Sequence, residues 1–140
     1  MILNNNTRLS EIQNEISGSF PFLKAEFFNV TIALEKRNLI KEMIKEMIKD
    51  TQKKIGDIHH LMHPMEFSIN GNQKVSTIEK NFMKNFGINL QIFRKSGGAW
   101  LMTTTSDSST LSDQNKKGLE MNTELSDEIN EDFELYHEQL

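Results

Sequence analysis

A stretch near the start of the chain and a stretch past its middle follow one pattern. Displaced by 66 residues, Leu9, Ile12, Ile16 and Phe20 meet Val75, Ile78, Phe82 and Phe86. Their spacings of 3, 4 and 4 put each set on one stripe of an α-helix. Ser10 with Gln13, and Ser76 with Glu79, read as capping boxes near the two helix starts. A chain-turning residue follows each helix, Pro21 or Gly87. Apolar residues then recur at every second position: Leu23, Ala25 and Phe27 in one case, Ile88, Leu90 and Ile92 in the other. Period two belongs to a half-buried strand.

Short strands before the helices complete each unit. The opening Met1-Ile2-Leu3 is one candidate, and Met65 to Ile69, followed by the turn Asn70-Gly71-Asn72, is the other. Each copy therefore reads as β-α-β. A lone unit leaves its apolar faces half covered, so two units side by side predict an α+β fold, one sheet with helices on one face. A ferredoxin-like arrangement is the simplest such solution, and a ubiquitin-like grasp is the competing topology. With 140 residues, the chain has the size of one domain. The pattern divides it into a body over 1–118 and an acidic tail over 119–140. The body comprises a first unit (1–34), a helical insert (35–63) and a second unit (64–118).

In the insert, Leu39, Ile40, Met43, Ile44, Met47 and Ile48 step by four and predict a helix ended by Pro64. After the second unit, Ser96-Gly97-Gly98 signals a hairpin turn, with Ala99 to Thr104 pairing back. A short helix is expected from about Thr110, with Gly118 as its stop. In the tail, Leu125, Ile129, Phe133 and Tyr136 line one face of an acidic amphipathic helix.

Charge is unevenly distributed. All sixteen Lys and Arg lie at or before Lys117, which leaves that body at +4 and the segment from Gly118 onward at -8. There is no cysteine, so disulfides, thiolate metal sites and cysteine nucleophiles are excluded together. No run of apolar residues is long enough to span a membrane. The start lacks the basic and apolar regions of a secretory leader. A cytoplasmic location is the expectation.

At Phe20 to Phe28, Val75 to Asp107 and Thr110 to Gly118, the chain resembles an uncharacterised family of small conserved proteins from Bacteroidetes. Members share an FPFLK-x-EFF-like segment and a later FRKSG…W…TT…D…TL…QN…G stretch. The likeness runs over roughly residues 7–30 and 65–119. It implies a bacterial cytoplasmic protein and a duplicated architecture, and it lends no catalytic or binding residue.

The chemistry-bearing residues are few. His59 and His63, four apart, have the spacing of metal ligands on a helix, with Glu66 the nearest further candidate, but the set is too small to predict a metal site. Arg94-Lys95-Ser96-Gly97-Gly98 is not a P-loop and joins two strands. Asp107, Ser108, Ser109, Thr110 and Asp113 suit turns and caps, and no nucleophile elbow is present. No cofactor is implied. Alternation places Phe93 on the face opposite Ile88, Leu90 and Ile92, where Trp100 and Arg94 are expected beside it. The expectation is a non-catalytic interaction module. It would dock a protein partner on Phe93, Arg94 and Trp100, or on Met43 and Met47 of the insert helix, which also suit self-association. The alternative is a nucleic-acid-binding protein that uses the basic body and the aromatic sheet face, with the acidic tail as competitor.

Overall fold

A computed structural model describes residues 1–29, 46–103 and 108–122. The two periodic units form their expected elements, β1 (Ile2–Leu3), α1 (Leu9–Ser19), β2 (Leu23–Phe28), β3 (Met65–Glu66), α3 (Val75–Phe86), β4 (Asn89–Ser96) and β5 (Ala99–Met102), and a single helical turn, α2 (Ile55–Ile58), lies between them. A fourth helix, α4, covers 111–122. The fold is mixed α+β.

The strands form two antiparallel sheets instead of one. β1 pairs with β3, and β4 lies between β2 and β5. A ferredoxin-like sheet would join β1 and β3 to β2 and β4; here the pairs β1–β3 and β2–β4 belong to separate sheets. In the larger sheet Glu26 lies opposite Gln91, and Ala25 and Phe27 lie opposite Ile92 and Leu90. At the head of the smaller sheet, the Met1 amine donates to Phe67 O at 3.0 Å and Phe67 N–H donates to Met1 O at 2.8 Å.

Both helix stripes reach the same core. Ile12 and Ile16 of α1 and Ile78 and Phe82 of α3 are buried with Ala25, Phe27, Leu90 and Ile92 of the larger sheet. Phe67, just past β3, joins them through Phe82 and Phe86, with ring centroids 5.2 and 6.4 Å away. Phe82 and Phe86 lie 4.7 Å apart and Phe27 stands 5.9 Å from Phe82, so one aromatic cluster ties both sheets to α3. Gly87 then reverses the chain into β4 at φ 64°, a conformation that glycine adopts without Cβ strain.

The insert departs from expectation. Residues 30–45, which include Met43, lie outside the described residues, and residues 46–54 are turn and extended chain where a helix was expected. The reason is that β2 captures their backbone: Asn29 N–H donates to Glu46 O at 3.0 Å and Ile48 N–H to Phe27 O at 2.8 Å. Lysines four apart give a lone helix little support against that pairing. Among the described residues of the insert the one helix is the single turn of α2, so His59 and His63 do not share a helical face.

The helix starts also differ. The caps are Arg8, Lys54, Lys74 and Thr110, and Glu11, Asp57 and Asp113 accept the backbone N–H of Arg8, Lys54 and Thr110. Gln13 and Glu79 instead reach into the sheet. Gln13 Nε2 donates to Ala25 O, and Glu79 Oε2 accepts from Ile92 N–H, both at 2.9 Å. Gly118 does not stop α4. It is buried against Phe22, whose Cβ would lie 2.6 Å from a Cβ at 118, so glycine serves as a close-approach point. The tail stripe from Leu125 to Tyr136 lies outside the described residues.

Candidate interaction surface

The surface is built on the β4–β5 hairpin. Ser96 pairs with Ala99, and the turn between them places Gly97 at φ 61°. Positive φ at the first central residue matches the right-handed twist of hairpin strands and explains glycine at position 97. Among the described residues, β5 pairs only with β4 and leaves its other edge free.

The register sorts side chains between two faces. Leu23, Ala25, Phe27, Leu90, Ile92 and Arg94 fall on the core side. Lys24, Glu26, Phe28, Gln91 and Phe93 fall on the outer side, joined across β5 by Trp100 and Met102. One end of this outer face is closed: Phe28, Asn89 and Gln91 are buried, and Gln91 Nε2 donates to Asn89 Oδ1 at 2.7 Å. The other end is open. Trp100 retains 38% of its surface.

Lys24 organises the open end. Its Nζ lies 4.8 Å from the Trp100 ring centroid and 5.7 Å from that of Phe93. Glu26 Oε1 holds the same ammonium at 3.5 Å. Each cation–π contact at a half-exposed site contributes about 0.5–1 kcal/mol, which favours this ring placement by a small factor. Phe28 extends the row, its centroid 6.5 Å from Phe93. The result is an aromatic platform with a central cation, alongside a strand edge that no described residue pairs with.

Of the residues expected at this surface, Phe93 and Trp100 are brought together. Arg94 is not with them: alternation sends it to the core side, between Leu23 and Leu101 of the neighbouring strands. Its Nε is buried without a hydrogen-bond partner among the described residues. The cation that lies over the rings is Lys24, which the alternation of Leu23, Ala25 and Phe27 places outward; only the strand register shows that it reaches Phe93. Met47 is half-buried and bridges to Phe28 as extended chain. Met43 lies outside the described residues.

Glu79 is the other residue that local pattern did not reveal. It is buried inside α3 beside Ile78, and burial pushes its carboxyl up from 4.5 to about 7, against the smaller lowering effect of the Ile92 N–H. A shallow groove of about 200 Å³ lies between β3 and α3, floored by Phe67, Phe82 and Phe86 and rimmed by Asn81 and Asn85. Among the described residues, no group of three or more His, Asp and Glu is placed to hold a metal ion, and no helix is long and apolar enough to cross a membrane. Comparison of the chain with protein-family models, curated proteins and solved structures finds no match.

Proposed function

We propose that the protein is a non-catalytic protein-interaction module that docks a partner on the open end of its outer sheet face. The observation that carries this reading is Trp100, half-exposed and stacked on Lys24 beside Phe93, at a strand edge left free among the described residues. Tryptophan in such a setting supplies a large, stiff contact area, and clustered aromatics beside a cation are the usual anchors of protein interfaces. Edge strand β5 offers backbone groups to an extended partner segment, and Lys24 favours a partner with a carboxylate in reach. In this reading the platform is composite: Lys24 comes from the first of two related units, and Phe93 and Trp100 come from the second.

The test is affinity isolation from the source organism with the full chain and with Trp100→Ala and Lys24→Glu, followed by mass spectrometry. The expected result is a partner enriched by the unmodified chain and lost with both variants while their circular dichroism is unchanged. A partner set identical for all three proteins would refute the assignment. A second reading, single-stranded nucleic acid, is favoured by the neighbourhood of Lys24 and Lys95 to two aromatic rings. It predicts salt-dependent quenching of Trp100 fluorescence by an unstructured oligonucleotide, and an unchanged spectrum removes it.

A further inference from the structure

We infer that the described residues of the two halves, 1–29 with 46–58 and 65–103 with 108–122, are two copies of one five-element unit joined as a two-fold pair, so that the surface between them is an isologous interface, fitted to a second copy of the same unit. The inference stands apart from what the platform binds.

The backbone carries the argument. The turn before α1 closes through Asn6 N–H to Asn4 Oδ1 at 2.8 Å and Thr7 N–H to Asn4 O at 3.1 Å. The turn before α3 repeats both bonds, from Asn72 to Asn70 Oδ1 at 3.1 Å and from Gln73 to Asn70 O at 3.2 Å. Each turn then grips a later helix start. Leu9 N–H donates to Lys53 O, Ile55 N–H to Thr7 O and Gly56 N–H to Asn5 O, at 2.8–3.0 Å. In the second half Val75 N–H donates to Ser109 O, Leu111 N–H to Gln73 O and Ser112 N–H to Gly71 O, at 3.0–3.1 Å. The bridges Arg8–Lys54 and Lys74–Thr110 mark the same crossing. Return strands match as well. Ile48 N–H donates to Phe27 O as Thr103 N–H donates to Ile92 O, and Met47 pairs with Phe28 as Met102 pairs with Phe93. What reads locally as an insert is thus the counterpart of β5 and the start of α4, reached through a longer connection.

The axis is visible in the strand registers. When two copies pair antiparallel about a two-fold axis, one residue on each paired strand faces its own counterpart. Met1 pairs with Phe67, its equivalent at an offset of 66. Glu26 pairs with Gln91, its equivalent once the extra residue at the Phe20–Phe22 turn is allowed for. Both sheets therefore straddle one axis. The chain also has one glycine at each turn–helix crossing, but on opposite partners. In the first half it is Gly56 on the helix, where a Cβ would lie 2.8 Å from Asn5 Cβ and O. In the second it is Gly71 on the turn, where a Cβ would collide with Ser112 Oγ. The two halves have solved one steric problem in complementary ways.

The experiment exchanges the two solutions in the full chain. Gly71→Asn alone should lower Tm by roughly 5 °C or more, the scale of a single overpacked contact in a domain of this size. Gly71→Asn with Ser112→Gly recreates the first half's pair and should recover most of the loss. Gly56→Ser and Asn5→Gly with Gly56→Ser form the mirror cycle, in which Asn5 also releases its two bonds to the Leu61 backbone, so recovery should be partial. Positive coupling in both cycles supports equivalence of the halves. Additive losses in both, or double variants that fail to fold, overturn it; coupling confined to one half also overturns it, because equivalent crossings must respond alike.

Discussion

Glu79→Gln is the perturbation with the most definite sign. The unfolded chain titrates this carboxyl near 4.5, whereas burial raises it to about 7 in the folded protein. Between those values the folded state binds more protons than the unfolded state, so stability falls as pH rises across that window and levels off above it. The shift corresponds to about 3 kcal/mol, because one pKa unit is about 1.4 kcal/mol. Ionisation also strengthens the bond that Glu79 accepts from Ile92 N–H, at 2.9 Å, but desolvation is the larger effect. Glutamine keeps the shape and an acceptor for that N–H, removes the charge and carries no titration. Below about pH 4, under the unfolded value, the neutral acid and the amide should give nearly equal stability. By pH 8 the variant should be the more stable by up to about 3 kcal/mol, a large share of a typical domain's total. Urea unfolding at half-unit pH steps, with both proteins in one buffer series, measures the difference directly. A gap independent of pH would show that Glu79 is not buried in this way. A gap that moves in favour of the wild type as pH rises would mean a paired, ionised carboxylate and would refute the argument.

Two further outcomes test the packing. Phe82→Ala removes the ring shared by Phe27, Phe67 and Phe86, and should cost about 3–5 kcal/mol in urea unfolding; a loss below 1 kcal/mol would mean that the two sheets do not share this core. Gly118→Ala, ordinarily worth about 1 kcal/mol of stabilisation inside a helix, should instead lower Tm because its Cβ meets Phe22, and a raised Tm would show that α4 does not approach Phe22.

Local periodicity made part of this molecule legible and hid the rest for a physical reason. The stripes of α1 and α3 and the alternation of β2 and β4 are set by near neighbours, so composition at spacings of two, three and four reveals them. Strand partners are set by long-range register, which is why the two sheets and the outward Lys24 reaching Phe93 emerge only from the pairing, whereas the inward Arg94 already follows from the alternation of Ile88, Leu90 and Ile92. Residues 46–48 show how tertiary pairing overrides pattern: Met47 and Ile48 continue a step-of-four stripe, yet their backbone bonds go to β2. Glu79 shows it for side chains, since a serine followed three residues later by glutamate suits a cap, and the carboxylate instead serves a strand N–H. The glycines make the same point about comparison within a sequence. Asn5 against Gly71 and Gly56 against Ser112 look like two unrelated mismatches, the second pair lying beyond a change of offset that a fixed displacement cannot follow. On the inferred equivalence of the two halves they are the two sides of one contact, where room for one Cβ exists and only the bearer differs. A substitution at either position therefore has a sign that depends on the residue across the contact.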